Sequence, residues 1–295
     1  MSDVPTGGEL VLVSTPIGNL GDLSPRAAAA LSSADIVCCE DTRHTGMMLK
    51  RLGIPTKRLL SLHGHNEADR VPMLIEELSS GRTVALVSDA GTPAVSDPGE
   101  RLVAAAASAG VRVSAVPGPS AVLAAVVVSG MGLSRWRFEG FLPRKGTQRS
   151  RRLADIAGAP CPSVCYESPQ RLAATLRDLA DACGPDRRVA VCRELTKVHE
   201  EVRRSTLAEA VAHAATTAPR GEFVLVVDGL DERAPGALSP STDELGEAVG
   251  ALVASGTSRR DAVRDVAIRL GMPRSVVYEA AIRYSSSPGG SVRGR

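Results

Sequence analysis

Along residues 9–128, short apolar runs alternate with stretches of mixed polarity, and the apolar runs end in loops rich in small and polar residues. Residues 9–14 (ELVLVS) form the first run, and residues 15–22 (TPIGNLGD) the Gly/Pro loop after it. Ser24 and Pro25 then open a helix, with Ser as cap and Pro at the first helical position. Residues 34–39 predict a second strand ending in Glu40-Asp41-Thr42-Arg43-His44, and Met47, Met48 and Leu52 predict a helix that stops at Gly53. A third strand over residues 59–62 leads to His63-Gly64-His65-Asn66-Glu67 and a helix to Leu78, for which Asn66 is a candidate cap. Residues 83–87 feed the loop 88–99 (SDAGTPAVSDPG) and an Ala-rich helix from Glu100. Residues 111–116 feed Pro117-Gly118-Pro119-Ser120-Ala121 and another apolar helix. Such alternation predicts a mostly parallel sheet.

The second half follows the same grammar less strictly. Strands are expected over residues 138–142, 163–167, 189–194, 201–205 and 222–228. Helices are expected after the basic segment 144–152, from Ser168-Pro169, and over residues 207–215. Closer strand spacing with fewer helices predicts a mixed sheet. The expected organisation is therefore an α/β domain over residues 1–118 and a second over 119–230. Residues 231–242, rich in Pro, Ser and charge, read as a linker. Helical patterns at 243–254, 258–270 and 273–283, the last two joined at Gly271-Met272, predict a helix-turn-helix module over 243–284. Residues 285–295 read as a disordered tail.

Composition narrows the class. With 295 residues, 43% of them hydrophobic and 23% charged, the chain can bury a sizeable core. Aromatic residues make up only 2%, so that core must come from Ala, Val and Leu. The 6 cysteines have no metal-type spacing, and no metal is expected. The amino terminus has neither the basic nor the apolar region of a secretory signal. The apolar run 121–128 is too short to span a bilayer. A reduced, cytoplasmic protein without a membrane partner is the expectation.

Candidate chemistry lies in the loops. There is no phosphate-loop or dinucleotide glycine fingerprint, and no zinc-protease or hydrolase motif. Loops 15–22, 40–44, 63–67, 88–99 and 117–121 all follow strands, so a parallel sheet would gather them along one edge. Twelve residues in loop 88–99 exceed what a strand-to-helix turn needs. The Gly/Pro/Ser/Thr loops offer backbone donors and little charge, which suits a neutral, shaped cofactor. Glu40, Asp41, Arg43, His63, His65 and Asn66 offer acid, base and cation groups, which suits a polar substrate. Each alone would ordinarily be a cap or a solvated side chain; their clustering after adjacent strands is the signal. Net charge is only +2, yet Arg144, Lys145, Arg149, Arg151 and Arg152 crowd one segment, and Arg259, Arg260, Arg264, Arg269, Arg274 and Arg283 mark the terminal helices. Such runs are usually solvated faces, but Arg in a helix-turn-helix module is also what phosphate-backbone binding uses.

The ordered motifs STPIGNLGDLSPRA, CEDTRHT, LHGHNE, VSDAGTPAVSDPG, VPGPSA, FEGFLPRK, CYESPQR, RELTK and GEFVLVVDG resemble a known family over about residues 9–229. This is the tetrapyrrole-methylase superfamily, in its branch of bacterial 2′-O-methyltransferases acting on cytidine of 16S ribosomal RNA in the small subunit. The resemblance implies two α/β domains with S-adenosylmethionine (SAM) between them, usually in a homodimer. It implies cofactor contacts at Pro16, at Ala90-Gly91-Thr92-Pro93 with Val95, at Ser120-Ala121, at Glu167, and at Ser205 and Phe223 on the second-domain wall. Thr92 stands where relatives carry Asp. The sulfonium methyl needs no metal, so the protein's work is to position a ribose 2′-hydroxyl and polarise it. Asp41, Glu40 and His65 are candidates for that base, with Arg43 on a phosphate. RNA contacts are expected from Arg144, Lys145, Arg149, Arg151, Arg152, Arg259 and Arg260. Two alternatives compete: a methylase of a small tetrapyrrole, which would need no basic segments, and a ligand-sensing DNA-binding regulator, which would need no polar loops.

Overall fold

A computed structural model describes residues 7–132, 134–230, 242–269 and 274–286. Two compact units divide the chain, Met1–Leu230 and Asp231–Arg295.

In the first unit the opening strands and helices alternate as β1 (Glu9–Val13), α1 (Pro25–Ser33), β2 (Ile36–Cys39), α2 (Thr42–Arg51), β3 (Leu59–Ser61), α3 (Glu67–Ser79), β4 (Thr83–Leu86), α4 (Glu100–Ser108) and β5 (Arg112–Val116). The strands form a parallel 5-stranded sheet in the order β3-β2-β4-β1-β5. Apolar side chains cover both faces, Val13, Leu31 and Val37 on one and Leu10, Ile36 and Leu74 on the other, as a parallel sheet requires. Local signals act as the sequence implies at α1, where Ser24 Oγ accepts the Ala27 amide at 3.1 Å. At α3 they do not. Asn66 makes no side-chain cap; its Oδ1 accepts the His63 amide at 2.8 Å and its amide donates to the Ser61 carbonyl at 3.2 Å, so it braces the preceding turn.

The order of strands decides where a ligand can sit. β1 lies between β4 and β5, so the loops that follow these three strands are neighbours. β2 and β3 lie on the far side of β4, and their loops fall further along the edge.

The chain continues through α5 (Ala121–Ser129), β6 (Arg137–Phe141), α6 (Thr147–Ala157), β7 (Ser163–Glu167), α7 (Pro169–Cys183), β8 (Arg188–Arg193), β9 (Glu201–Thr206), α8 (Leu207–Thr216) and β10 (Phe223–Val227). The second sheet runs β6-β7-β10-β8-β9; only β6 and β7 are parallel, and the other neighbours are antiparallel. One face packs on α6, α7 and α8 through Ile156, Leu176 and Leu207; α5 covers the other through Val122, Ala125 and Val126. Ile17, from the loop after β1, joins that second cluster beside Leu195 and Val224, so the two sheets share packing across the cleft.

In the second unit, α9 (Thr242–Ala254), α10 (Arg259–Arg269) and α11 (Arg274–Ser286) enclose Leu245, Val249, Val263, Val266 and Val277. The turn expected at Gly271-Met272 and the linker 231–241 lie outside the described residues. Thr242, placed at the end of that linker by sequence, begins α9; Ser285 and Ser286, assigned to the tail, complete α11, and residues 287–295 lie outside the described residues. No helix among the described residues is long and apolar enough to cross a membrane.

Candidate active site

The loops after β1, β4 and β5 are stitched together by short-range polar contacts. Thr15 and Gly91 exchange backbone hydrogen bonds at 2.8 and 3.1 Å, and Ser88 Oγ donates to the Gly91 carbonyl at 3.0 Å. Thr92 Oγ1 donates to the Pro119 carbonyl at 3.2 Å and lies 3.2 Å from Ser14 Oγ. Since Thr92 has one hydroxyl proton, Ser14 is the donor in the latter pair. A carboxylate here would face the Pro119 carbonyl without a proton to give it. Gly91 takes φ +85°, and a Cβ on it would stand 3.2 Å from Ile17 Cγ2.

These loops form one wall of a cavity of about 330 Å³. Ile17, Ala90, Gly91, Thr92, Val95, Ser120 and Ala121 line it from the first sheet's side, with Asp89, Ser96 and Asp97. The second sheet supplies Phe141, Tyr166, Glu167, Cys192, Leu195, Glu222, Phe223 and Val224, together with Ser168 and Pro169 at the start of α7. The scarce aromatic residues are concentrated here: Phe141, Tyr166 and Phe223 line the cavity, and Phe138 packs edge-on against Tyr166 with centroids 5.2 Å apart. Of the residues expected at the cofactor, Pro16, Pro93 and Ser205 do not line this cavity. Ser205 lies on β9, the edge strand, where its hydroxyl donates to the Thr206 carbonyl at 3.0 Å. Glu167 does line it, but its carboxylate is fully engaged. It accepts the Ser168 amide at 2.8 Å and the Thr175 hydroxyl at 2.6 Å, with Arg171 Nε 3.3 Å away. It shapes the wall.

The acid-base candidates fall elsewhere. Asp41, Arg43 and His65 do not line the cavity. Asp41 caps α2, accepting the Arg43 and His44 amides at 2.8 and 3.4 Å, and pairs with the Arg43 guanidinium at 2.9 Å. The Arg43 hydrogen bond holds its carboxyl down to about 2, which makes it a weak base. The Arg43 side chain is 88% exposed. His65 is exposed beside His63, ring centroids 6.0 Å apart. Asp89 and Asp97, which the sequence did not single out, are both on the cavity wall. Burial first, and then the Glu40 and Asp89 carboxylates, push Asp97 up to about 6.

The basic segment also divides. Arg149, expected on RNA, is buried: it reaches Asp178 at 2.6 Å, Thr175 Oγ1 at 3.1 Å and the Pro143 carbonyl at 2.9 Å, and so ties α6 to α7. Its position on the inward face of α6 corrects that expectation. Arg152 pairs with Glu139 at 2.6 Å. Arg144, Lys145 and Arg151 are exposed and make no ion pair among the described residues. Arg259 and Arg260 are exposed in the first turn of α10.

A parallel sheet and a mixed sheet facing each other over an apolar cavity, walled by glycine-rich loops, define a two-lobed α/β enzyme with a site for a nucleoside-sized ligand. The chain belongs to the tetrapyrrole (corrin/porphyrin) methylase family, whose model matches residues 9–211. It is similar to the ribosomal RNA small subunit methyltransferase I of Synechocystis sp., 43% identical over 276 residues, covering 93% of this chain and 98% of that protein. It is similar also to that of Mycobacterium tuberculosis, 45% identical over 287 residues, covering 97% and 98%. Among solved structures, the uroporphyrin-III C-methyl transferase of Thermus thermophilus complexed with S-adenyl homocysteine aligns with a TM-score of 0.54 at 18% identity, covering 75% of this chain and 97% of that one.

Proposed function

We propose that this methyltransferase moves the methyl group of SAM onto the ribose 2′-hydroxyl of a cytidine in 16S ribosomal RNA of the small subunit. The observation that carries the reading is an apolar cavity with exposed cations close by in the chain: Phe141, on its wall, ends β6, and Arg144 and Lys145, without an ion pair among the described residues, follow before α6 begins. The relatives that match nearly the whole chain carry the name of a small-subunit ribosomal RNA methyltransferase, which supports the RNA class of substrate.

The cavity fits SAM. Ile17, Leu195, Phe223 and Val224 offer an apolar shelf for an adenine ring, and Gly91 lets the loop approach closely where a Cβ would press on Ile17 Cγ2 at 3.2 Å. When bound, SAM supplies an activated methyl on a sulfonium. Everything else falls to the chain: excluding water, fixing the cofactor between the two walls and directing a hydroxyl at it. Arg144, Lys145 and Arg151 then hold the RNA backbone outside the cavity, with Arg259 and Arg260 adding contacts from the terminal unit. Cations in the first turn of α10 face the positive end of the helix dipole, so they do not serve that helix. Arg43, whose side chain is 88% exposed and lies outside the cavity lining, grips a phosphate rather than the reacting atoms. A tetrapyrrole acceptor, the alternative, would leave these cations without a role. The homodimer implied by the family has a candidate surface in Leu123 and Val127 of α5, 54% and 62% exposed.

The test is transfer of label from tritiated SAM to small subunits from a strain lacking this protein, followed by mapping of the modified nucleotide. Label at a cytidine ribose supports the reading. Label on a base, or none on the RNA while a tetrapyrrole is methylated, refutes it.

A further inference from the structure

The carboxylates around the cavity are almost all engaged. Asp89 accepts the Asp41 amide at 3.2 Å, Glu167 is held as described, and Glu222 accepts from Lys197 Nζ at 3.0 Å. Asp97 has no hydrogen bond or ion pair among the described residues, although it is half-buried on the cavity wall. We propose that Asp97 is a catalytic residue, accepting the proton of the substrate hydroxyl as that oxygen takes the methyl group. This rests on the methyl-transfer reading above and names its base.

The backbone places Asp97 at a cost. Ala94 and Ser96, neither a glycine, take φ +64° and +65°, and Gly99 takes +126°. Left-handed geometry at a non-glycine residue is strained, so two such residues just ahead of Asp97 mark a path fixed for something other than stability. The loop crosses the cleft: a Cβ on Gly140 would meet Ser96 Oγ at 3.2 Å, where the pairing of β6 with β7 shifts register. Ser96 thus approaches the bulge of the opposite sheet, and Asp97 follows it on the cavity wall.

Its surroundings suit a proton acceptor. The titratable groups acting on it or feeling its charge are Glu40 after β2, Asp89 after β4 and Tyr166 on β7; no cation among the described residues is among those acting on it. Burial and the two neighbouring carboxylates raise it to about 6, close to the value that serves a base near neutral pH. In the step itself, the hydroxyl oxygen bonds to the methyl carbon as the carbon–sulfur bond breaks, and the electron pair of that bond stays on sulfur. The hydroxyl proton passes to the Asp97 carboxylate and then to water.

The experiment compares wild type with D97N and D97E for methyl transfer to small subunits, for SAM affinity by calorimetry, and for melting temperature against pH without SAM. D97N is expected to lose roughly 10²–10⁴ in kcat with SAM affinity unchanged. The wild-type rate should fall below about pH 6, a limb that D97N lacks and D97E retains with part of the rate. Because the folded pKa lies above the unfolded one, the folded state binds the extra proton between 3.8 and about 6, and wild type loses stability relative to D97N as pH rises through that window. Wild-type kcat in D97N, an acid limb surviving in it, a rate lost only with SAM affinity, or parallel melting curves each overturn the proposal. Mapping the methyl group keeps the two readings apart. A methyl on a base removes the ribose assignment and with it the hydroxyl proton Asp97 would take, whereas a ribose methyl with D97N at full rate removes Asp97 alone.

Discussion

Glu67, the first residue of α3, caps α4 at Gly99. Its Oε1 accepts the amide protons of Gly99, Arg101 and Leu102 at 3.1, 3.0 and 3.3 Å, at a helix start whose own cap residue has no side chain to offer. The carboxylate is buried and sits at the positive end of that helix, where a negative charge is favoured. It also anchors the far end of loop 88–99, so a fold contact made by one helix sets the conformation of the cavity wall.

Glu67→Ala should therefore destabilise the protein by about 2–3 kcal/mol, the scale for buried hydrogen bonds to a charged acceptor. SAM affinity should fall with it, because Gly99 loses its anchor. Glu67→Gln keeps an acceptor oxygen and should lose less on both counts. Urea unfolding and calorimetry on the three proteins decide this; an alanine variant matching wild type in both would remove the anchor.

Gly91→Val should abolish SAM binding while the protein stays folded. The valine would have to take φ +85° and place its Cβ 3.2 Å from Ile17 Cγ2, so it can fit only by moving the cavity wall. Circular dichroism checks the fold and calorimetry the affinity. Unchanged affinity in a folded variant would mean that the cofactor lies elsewhere.

Arginines of one segment should separate by role. Arg149→Ala should lower the melting temperature, since it strands Asp178 and the Pro143 carbonyl at the α6–α7 contact. Arg144→Ala with Lys145→Ala should leave the melting temperature alone and weaken binding to small subunits. The double variant should also flatten the salt dependence of that binding, because fewer counterions are released. Equal salt slopes for wild type and double variant would be the refuting result.

A protein ending at Leu230 should keep SAM affinity, because every residue lining the cavity precedes that point. It should hold small subunits less tightly, most visibly at moderate salt, where the missing Arg259 and Arg260 contacts count. Identical binding by full-length and shortened proteins across a salt series would show that the terminal unit serves another purpose.

What the sequence determined by itself is what neighbours along the chain decide. The strands and helices fall within a few residues of the apolar runs that predict them, and Ser24 and Ser120 cap the helices they precede, accepting amide protons at 3.1 and 3.4 Å. Loops 88–99 and 117–121 line the cavity because glycine and proline content fixes where strands must end. Tertiary structure decided which loops share a site. Only the order β3-β2-β4-β1-β5 places β1 between β4 and β5, which draws Gly91, Thr92 and Ser120 together and leaves His65 along the edge. The same holds for charge. Arg144 and Arg149 lie five residues apart in one basic run, yet one is exposed and the other tied to Asp178, because the partner comes from α7. Asp41 and Asp97 are both loop aspartates in sequence. One is held near 2 by an arginine beside it and the other raised to about 6 by burial and by carboxylates from distant strands, and a sum over such neighbours exists only once the chain has folded.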